Sequence, residues 1–201
     1  MSAKFYVEAQ SGDGQRPLSI AAHFWQLEAV RVLVELGADV EVGQAGKLAL
    51  RPLHEAAKRG HLEVVKALVE FGADLTATSC HGATALHGAV QEGCTEVVKA
   101  LVAAGADLEA RLSARLYSYT PLMYAVGRAN PSPETVKVLV ELGANVDALD
   151  ASGHTAMEIS NMQHKHQPAV ARAMATRRVH CRRCPSHAAP FTCPQRRRFE
   201  R

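Results

Sequence analysis

The fold of this chain is decided by residues 51–75, which read RPLHEAAKRGHLEVVKALVEFGADL. Pro52 begins a short helix, because its missing N–H costs nothing in the first helical turn. Gly60 ends that helix in a tight turn. A second helix is predicted over residues 62–71, where valines and leucines recur at helical spacing, and Gly72 stops it. The stretch therefore predicts a pair of short helices followed by an extended loop.

The same unit recurs along the chain. At steps of 35, 33 and 38 residues, the string Gly-Ala-Asp or Gly-Ala-Asn begins at Gly37, Gly72, Gly105 and Gly143. A second marker keeps the same phase at steps of 35, 33, 36 and 35 residues, in the pairs Pro17-Leu18, Pro52-Leu53, Ala85-Leu86, Pro121-Leu122 and Ala156-Met157. Neither helix of a unit is long enough to be stable alone. Neighbouring units must therefore cover each other's apolar stripes, which predicts a solenoid.

These stretches resemble the ankyrin-repeat pattern. The resemblance covers about residues 6–160, and it rests on residues 51–57, 60–69 and 72–75 and on Thr84-Ala85-Leu86-His87. It implies an all-α fold, an α-solenoid of stacked helix-turn-helix repeats joined by extended, β-hairpin-like finger loops. It also implies that His54 and His87 tie neighbouring turns together by hydrogen bonds. Because only Thr84 and His87 keep both polar residues of the family's Thr-Pro-Leu-His, we expect the outer repeats to be looser than the middle.

The expected organisation has three parts. Residues 1–14 look like the loop that leads out of a partial N-terminal repeat. The ankyrin-repeat domain covers residues 15–162, with repeats near 15–47, 48–82, 83–117 and 118–152 and a partial repeat from 153. Residues 163–201 form a tail rich in Arg, Cys and Pro, which we expect to be disordered because it has few aliphatic side chains to bury. Alternatively, residues 169–178 supply a substitute second helix for the partial repeat.

Charge is distributed unevenly along the chain. Residues 163–201 contain one Lys and nine Arg against a single acid, Glu200, and so carry +9, which leaves −6 for the rest of a chain of net charge +3. Such a tail attracts polyanions without sequence preference. No apolar run reaches the roughly 20 residues of a membrane span, and residues 1–10 have no long apolar stretch like that of a secretory signal. We therefore expect a cytoplasmic or nuclear protein with no membrane partner.

No motif for catalysis or for a cofactor is present. The sequence lacks Gly-x-Ser-x-Gly, His-Glu-x-x-His and a phosphate-binding loop, so we expect no enzyme activity and no small-molecule substrate. One metal-like spacing occurs in the tail, at Cys181, Cys184, His187 and Cys193. Zinc takes four ligands of these types. Two of the gaps differ from those of a zinc knuckle, so the alternative is a tail that binds no metal.

The resemblance implies that the chain is a protein–protein interaction module, such as an adaptor or scaffold. Partners of the family usually meet the concave side, at the exposed positions of the first helices and at the finger loops. Carried over by alignment, the helix positions are His23, Phe24, Lys58, Arg59, Gln91, Glu92 and Arg128. The finger positions include His81, Tyr117 and Tyr119, and the finger between the third and fourth repeats also carries Arg111 and Arg115.

This Arg/Tyr finger holds residue types that are enriched at interface hot spots. Together with Lys58, Arg59 and Arg128 it would form a basic-aromatic strip on an acidic body, which predicts a partner with an acidic segment. One alternative is a substrate-recruiting subunit of a ubiquitin ligase or signalling complex, although the Leu-Pro-rich part of a degradation-complex box does not follow residues 179–184. The other is binding of nucleic acid or an acidic surface by the tail. Nucleic acid is the less expected partner, since aromatic stacking groups are scarce.

Overall fold

The structure, a computed structural model, describes residues 7–12, 14–43, 50–113, 117–128, 131–163 and 168–175. These residues form helices and turns without a strand. The helices are α1 (Pro17–His23), α2 (Leu27–Glu35), α3 (Pro52–Arg59), α4 (Leu62–Glu70), α5 (Ala85–Glu92), α6 (Thr95–Ala103), α7 (Pro121–Val126), α8 (Pro133–Leu142), α9 (Ala156–Gln163) and α10 (Pro168–Ala175).

The helices stack in two layers. The first helices of the repeats pack in the order α1, α3, α5, α7 and α9, and the second helices pack in the order α2, α4, α6, α8 and α10. Each first helix also packs against the second helix of its own repeat. This arrangement is the predicted all-α solenoid, and it places the exposed residues of successive first helices side by side on one surface. We call that surface the first-helix surface.

Small aliphatic side chains fill the space between the layers. Ala56 and Ala57 of α3 are fully buried, and so are Leu68 of α4 and Leu101 of α6. Alanines on the first helices let the layers approach closely, while the leucines and valines of the second helices pack against them as larger buried side chains. A core built in this way needs few aromatic residues, in agreement with an aromatic content of 5%.

His54 links the second repeat to the loop that follows it. Its Nδ1 accepts a hydrogen bond from the backbone N–H of Arg51 at 3.3 Å. Its Nε2 donates to the carbonyl oxygens of Ala77 and Ala83, each at 3.1 Å. Burial lowers the pKa of this imidazole, and Nδ1 serves as an acceptor, so the ring is neutral. The fold-stabilising role predicted for His54 is confirmed.

His87 does the same one repeat later. Its Nδ1 accepts hydrogen bonds from the Thr84 hydroxyl at 3.0 Å and from the Thr84 N–H at 3.3 Å. Its Nε2 donates to the carbonyl oxygen of Tyr119 at 3.4 Å. Burial lowers the pKa of His87 to about 4. The predicted role is again confirmed, and the buried neutral ring makes this contact sensitive to acid.

The finger loops are joined by a ladder of side-chain contacts. A carboxylate of one finger accepts a hydrogen bond from a backbone N–H of the next, in the pairs Glu8 with Asp39 at 2.8 Å, Glu41 with Asp74 at 2.7 Å, and Glu109 with Asn145 at 2.8 Å. Arg16 and Arg51 replace the threonine of the repeat pattern, and they pair with Glu8 and Glu41. The predicted β-hairpin form is not confirmed, since the described finger residues contain turns but no strand.

A helix lies inside the segment 163–201 that was expected to be a disordered tail. This helix, α10, packs against α8, and its Val170, Ala173 and Met174 are buried. These residues follow helical spacing, so one face of this alanine-rich helix can cover the end of the second-helix layer. The structure thus has a helix over residues 168–175 in place of disorder, and this helix covers most of the range 169–178 given for a substitute second helix, while the domain boundaries remain a prediction. Residues 176–201 lie outside the described part.

Candidate functional site

The first-helix surface carries the predicted binding positions at equivalent places in four repeats. Phe24, Arg59 and Glu92 occupy the outermost of these positions and are exposed. The remaining predicted residues lie closer to the neighbouring helix and are half-buried, namely His23, Lys58, Gln91 and Arg128. Successive helices thus bring a row of side chains together from residues about 33 positions apart in sequence.

His23 is held by the repeat that follows it. Its Nδ1 lies 3.0 Å from Oε2 of Glu55, whose carboxylate is buried. The carbonyl oxygen of His23 also accepts a hydrogen bond from Nε2 of His61 at 2.9 Å. The residue therefore joins the first two repeats, and these contacts occupy groups that a partner would otherwise use. Its predicted part in partner binding remains a prediction.

Lys58 and Arg59 form the basic part of the surface. Among the described residues neither side chain makes an ion pair, whereas Lys66 and Lys99 on the second helices pair with Glu63 and Glu96. The stem of Lys58 lies over Gly88, where an added Cβ would stand 3.5 Å from the Cβ of Lys58. The missing side chain at position 88 therefore leaves room for the lysine stem between two first helices.

Tyr124 lies at the centre of the surface and was missed by the sequence analysis. Its hydroxyl donates to Oε1 of Gln91 at 3.0 Å. The guanidinium carbon of Arg128 stands 5.9 Å from its ring centroid, which is a cation–π distance. Its ring also meets the edge of His87 at 6.1 Å. The sequence could have identified Tyr124 as a surface residue, because position 124 is equivalent to Glu55 and to Gly88 in the repeat pattern and faces the same surface.

Side chains of the Arg/Tyr finger mainly make contacts within the folded chain. Arg111 is exposed, but its guanidinium donates to the carbonyl oxygens of Ser118 at 3.2 Å and Leu149 at 2.8 Å, so it connects two fingers. The rings of Tyr117 and Tyr119 stack at a centroid distance of 5.5 Å. Tyr117 is 60% exposed, whereas Tyr119 is half-buried.

Of the two remaining finger residues predicted to bind a partner, the structure describes only His81. His81 is exposed, and its carbonyl oxygen accepts a hydrogen bond from the N–H of Ser113. Arg115 lies outside the described residues. Of the predicted finger residues, Tyr117 and His81 thus present exposed side chains for which no hydrogen bond or ion pair is shown.

An exposed aromatic pair ends α1. Phe24 is 63% exposed and Trp25 is 64% exposed. Trp25 has a φ of 58°, a left-handed conformation that glycine adopts at the equivalent Gly60 and Gly93. Its indole stacks on the His61 ring at 6.2 Å with an interplanar angle of 21°. Trp25 stands where the second and third repeats have glycine, and it was not among the predicted binding residues.

Replacing Trp25 with glycine should relieve backbone strain. We expect Trp25→Gly to have a free energy of unfolding about 1 kcal/mol higher than Trp25→Ala, because only glycine adopts a positive φ without a steric cost. Both variants lose the stacking on His61, so their difference isolates the backbone. Urea denaturation followed by circular dichroism measures it. Equal stability of the two variants would contradict the assigned strain.

The Cys94 thiol is not activated, and the described residues contain no metal cluster. Burial raises the pKa of the Cys94 thiol, and the nearby Glu92 carboxylate raises it further. No group of three His, Cys, Asp or Glu side chains in the described ranges is placed to hold a metal ion. The metal-like set of Cys181, Cys184, His187 and Cys193 lies outside those ranges and remains a prediction.

The described part of the chain has no long apolar helix, and two hollows lie at its surface beside Trp25. None of its helices has the length and hydropathy that crossing a membrane requires. Two shallow hollows of about 340 and 290 Å³ flank Trp25. The geometry is that of a stacked helical-pair protein with an extended surface of mixed aromatic and charged side chains.

The chain belongs to the ankyrin-repeat family. A family model described as ankyrin repeats in three copies matches residues 42–112, and the single ankyrin-repeat model matches residues 13–43 and 117–151. Together these matches cover more than half of the chain. A search of curated proteins finds no match. Ankyrin repeats are generally protein–protein interaction modules, and proteins built from them are typically not enzymes.

Proposed function

We propose that this chain is a protein-binding adaptor that holds an acidic segment of its partner on the first-helix surface. The observation that carries the proposal is the adjacent pair Lys58 and Arg59, which make no ion pair among the described residues. Two neighbouring cations without a carboxylate leave a local positive potential. A partner carboxylate placed there would form charge-assisted hydrogen bonds.

Further along the surface, Arg128 adds a third cation. Its guanidinium is aligned over Tyr124, whose hydroxyl is held by Gln91. This arrangement restricts the side chains before a partner arrives, which reduces the entropy lost on binding. Glu92 supplies a negative charge between the two basic positions. We therefore propose that acidic residues of the partner contact the second and fourth repeats and that a neutral residue crosses the third.

The Arg/Tyr finger has a smaller role in partner binding in this proposal than the sequence alone suggests. Arg111 is engaged with Ser118 and Leu149, and Tyr119 lies half-buried against Gly127, where an added Cβ would be 3.4 Å from its ring. Tyr117 alone of the pair is mostly exposed. The finger would thus border the site through Tyr117 while the cations of the first helices hold the carboxylates.

Charge reversal at Lys58 and Arg59 tests the proposed function. The probe is a short fluorescein-labelled peptide of alternating glutamate and glycine, and its anisotropy is titrated with the full chain. We expect Lys58→Glu with Arg59→Glu to weaken binding about tenfold or more, because two attractive contacts become repulsive. Added salt should weaken binding to the unmodified chain, since these side chains are partly exposed.

The matched control reverses the same number of charges on the layer of second helices. Lys66→Glu with Lys99→Glu makes an equal change of net charge at exposed positions of α4 and α6, and binding should stay within about twofold. A second control replaces the arginines at 177, 178, 196, 197 and 198 with serine, which removes tail charge. If the tail variant loses binding while the Lys58/Arg59 variant keeps it, the tail is the acidic-surface binder and the proposal fails.

A further inference from the structure

The aromatic pair that ends α1 is more exposed than the other large apolar side chains of the described residues. Phe24 and Trp25 are 63% and 64% exposed, while Val32, Leu36 and Leu149 are close to half exposed. Adjacent exposed aromatics expose apolar surface to water at a cost in free energy. Trp and other aromatic residues are also enriched at the energetic centres of protein interfaces.

The repeat fold does not require these two residues. The equivalent positions are Arg59-Gly60 in the second repeat and Glu92-Gly93 in the third, and both glycines have a positive φ. Trp25 adopts the same left-handed conformation, although its side chain makes a positive φ sterically unfavourable. A strained conformation that persists at an exposed bulky residue points to a role outside folding.

Charges around the pair define which partner side chain fits there. Glu28 and Glu63 border the hollow of about 340 Å³ beside Trp25. Lys58 and Arg59 lie on the next first helix, at the positions equivalent to His23 and Phe24. Since Glu63 is paired with Lys66, Glu28 is the carboxylate that disfavours a partner carboxylate in the Trp25 hollow, whereas Lys58 and Arg59 attract one. An uncharged apolar side chain meets no such penalty beside Phe24 and Trp25.

We propose that Phe24 and Trp25 bind a large aliphatic side chain of the partner segment, next to the acidic residue held by Lys58 and Arg59. This inference rests on the proposed function. Adjacent helices stand about 8–10 Å apart, and an extended chain rises about 3.3 Å per residue. The aliphatic residue is therefore about three positions from the acidic one. The partner's motif is bipartite, with one apolar anchor followed or preceded by carboxylates.

The sole tryptophan of the chain reports directly on this site. Three peptides are titrated into the full chain, each with the same glutamates. One carries a leucine about three positions from the first glutamate, one carries glycine there, and one carries the leucine directly beside the glutamate. We expect the first to bind about tenfold more tightly than the glycine peptide and to shift Trp25 emission to shorter wavelength. Tail charge affects all three peptides equally and cancels in the comparison.

Two variants test whether Phe24 contacts the leucine of the peptide. Phe24→Ala should lower the affinity for the leucine peptide to that for the glycine peptide, because the leucine loses its aromatic contact while the exposed Phe24 contributes little to the core. Leu149→Ala is the matched control, since Leu149 is a large exposed aliphatic residue in a finger loop rather than at the end of α1. It should preserve the full advantage of leucine.

Three outcomes would overturn the inference. If the leucine and glycine peptides bind equally well, the anchor is absent, although acid recognition by Lys58 and Arg59 stands. If neither peptide binds, both this inference and the proposed function fail. If Trp25 in the free chain already emits as a buried indole and resists quenching by acrylamide, another part of the chain covers the pair.

Discussion

Replacing Leu101 with alanine is expected to lower the free energy of unfolding by about 3 kcal/mol. Leu101 is fully buried in α6, which packs against α4, α5 and α8. Short helices have little stability of their own, so each repeat depends on the apolar surface that its neighbours cover. Truncation at the centre of the stack weakens the contacts of the third repeat with both neighbours. Urea denaturation of the variant and the unmodified chain measures the loss.

Leu33 provides the matched control for this truncation. It occupies the same register in the first repeat, in α2, where it is only half-buried. We expect Leu33→Ala to cost about half as much, or less, because fewer atoms lose contacts and the site is partly hydrated. Equal losses at the two positions would show that the first repeat is as well packed as the third. Such a result would contradict the expectation that the outer repeats are looser.

Acid should destabilise the protein through His87. Its pKa is about 4 in the folded chain against an ordinary value of 6.5. Between these pH values the unfolded chain binds a proton that the folded chain does not. Stability is therefore fully present above pH 6.5 and falls as the pH is lowered towards 4. At about 1.4 kcal/mol per pH unit, the loss is on the order of 3 kcal/mol. Burial lowers the pKa of His54 too, which acts in the same direction.

The measurement compares urea denaturation at several pH values between about 7 and 4. His87→Gln should be less stable at neutral pH, because the contacts with Thr84 and Tyr119 are altered, but its stability should fall less steeply in acid. His81→Gln is the control, since the His81 side chain is exposed, and it should keep the steep fall of the unmodified chain. A His87→Gln variant that also keeps this fall would refute the role of His87. Carboxylates titrate in every variant and cancel in the comparison.

Much of the fold could be predicted because the residue pattern that specifies the helix pair recurs in each repeat. The helix pair at residues 52–70 is defined by a proline, two glycines and an apolar spacing that all lie within one short stretch. The roles of His54 and His87 followed from the family pattern. The helix at 168–175 was less accessible, because its apolar face is short and becomes stable only where it can cover α8.

The candidate site was predicted in outline but not in its contacts. Sequence alignment placed Lys58, Arg59 and Arg128 on one surface. It could not show that Arg111 would be occupied by carbonyl groups of two fingers, since Leu149 is 38 residues away along the chain. Equally, the link from Tyr124 to Gln91 depends on how two neighbouring first helices are set against each other.

The sequence by itself determined the repeat, its helices and turns, and the family, since local spacing and glycine chemistry act within each unit of about 33 residues. Only the tertiary structure decided which polar side chains form contacts within the folded chain and which face the solvent. Those choices depend on distances between side chains of different repeats. They left Lys58 and Arg59 without a carboxylate among the described residues, joined His23 to Glu55, and exposed Phe24 and Trp25 at the end of α1.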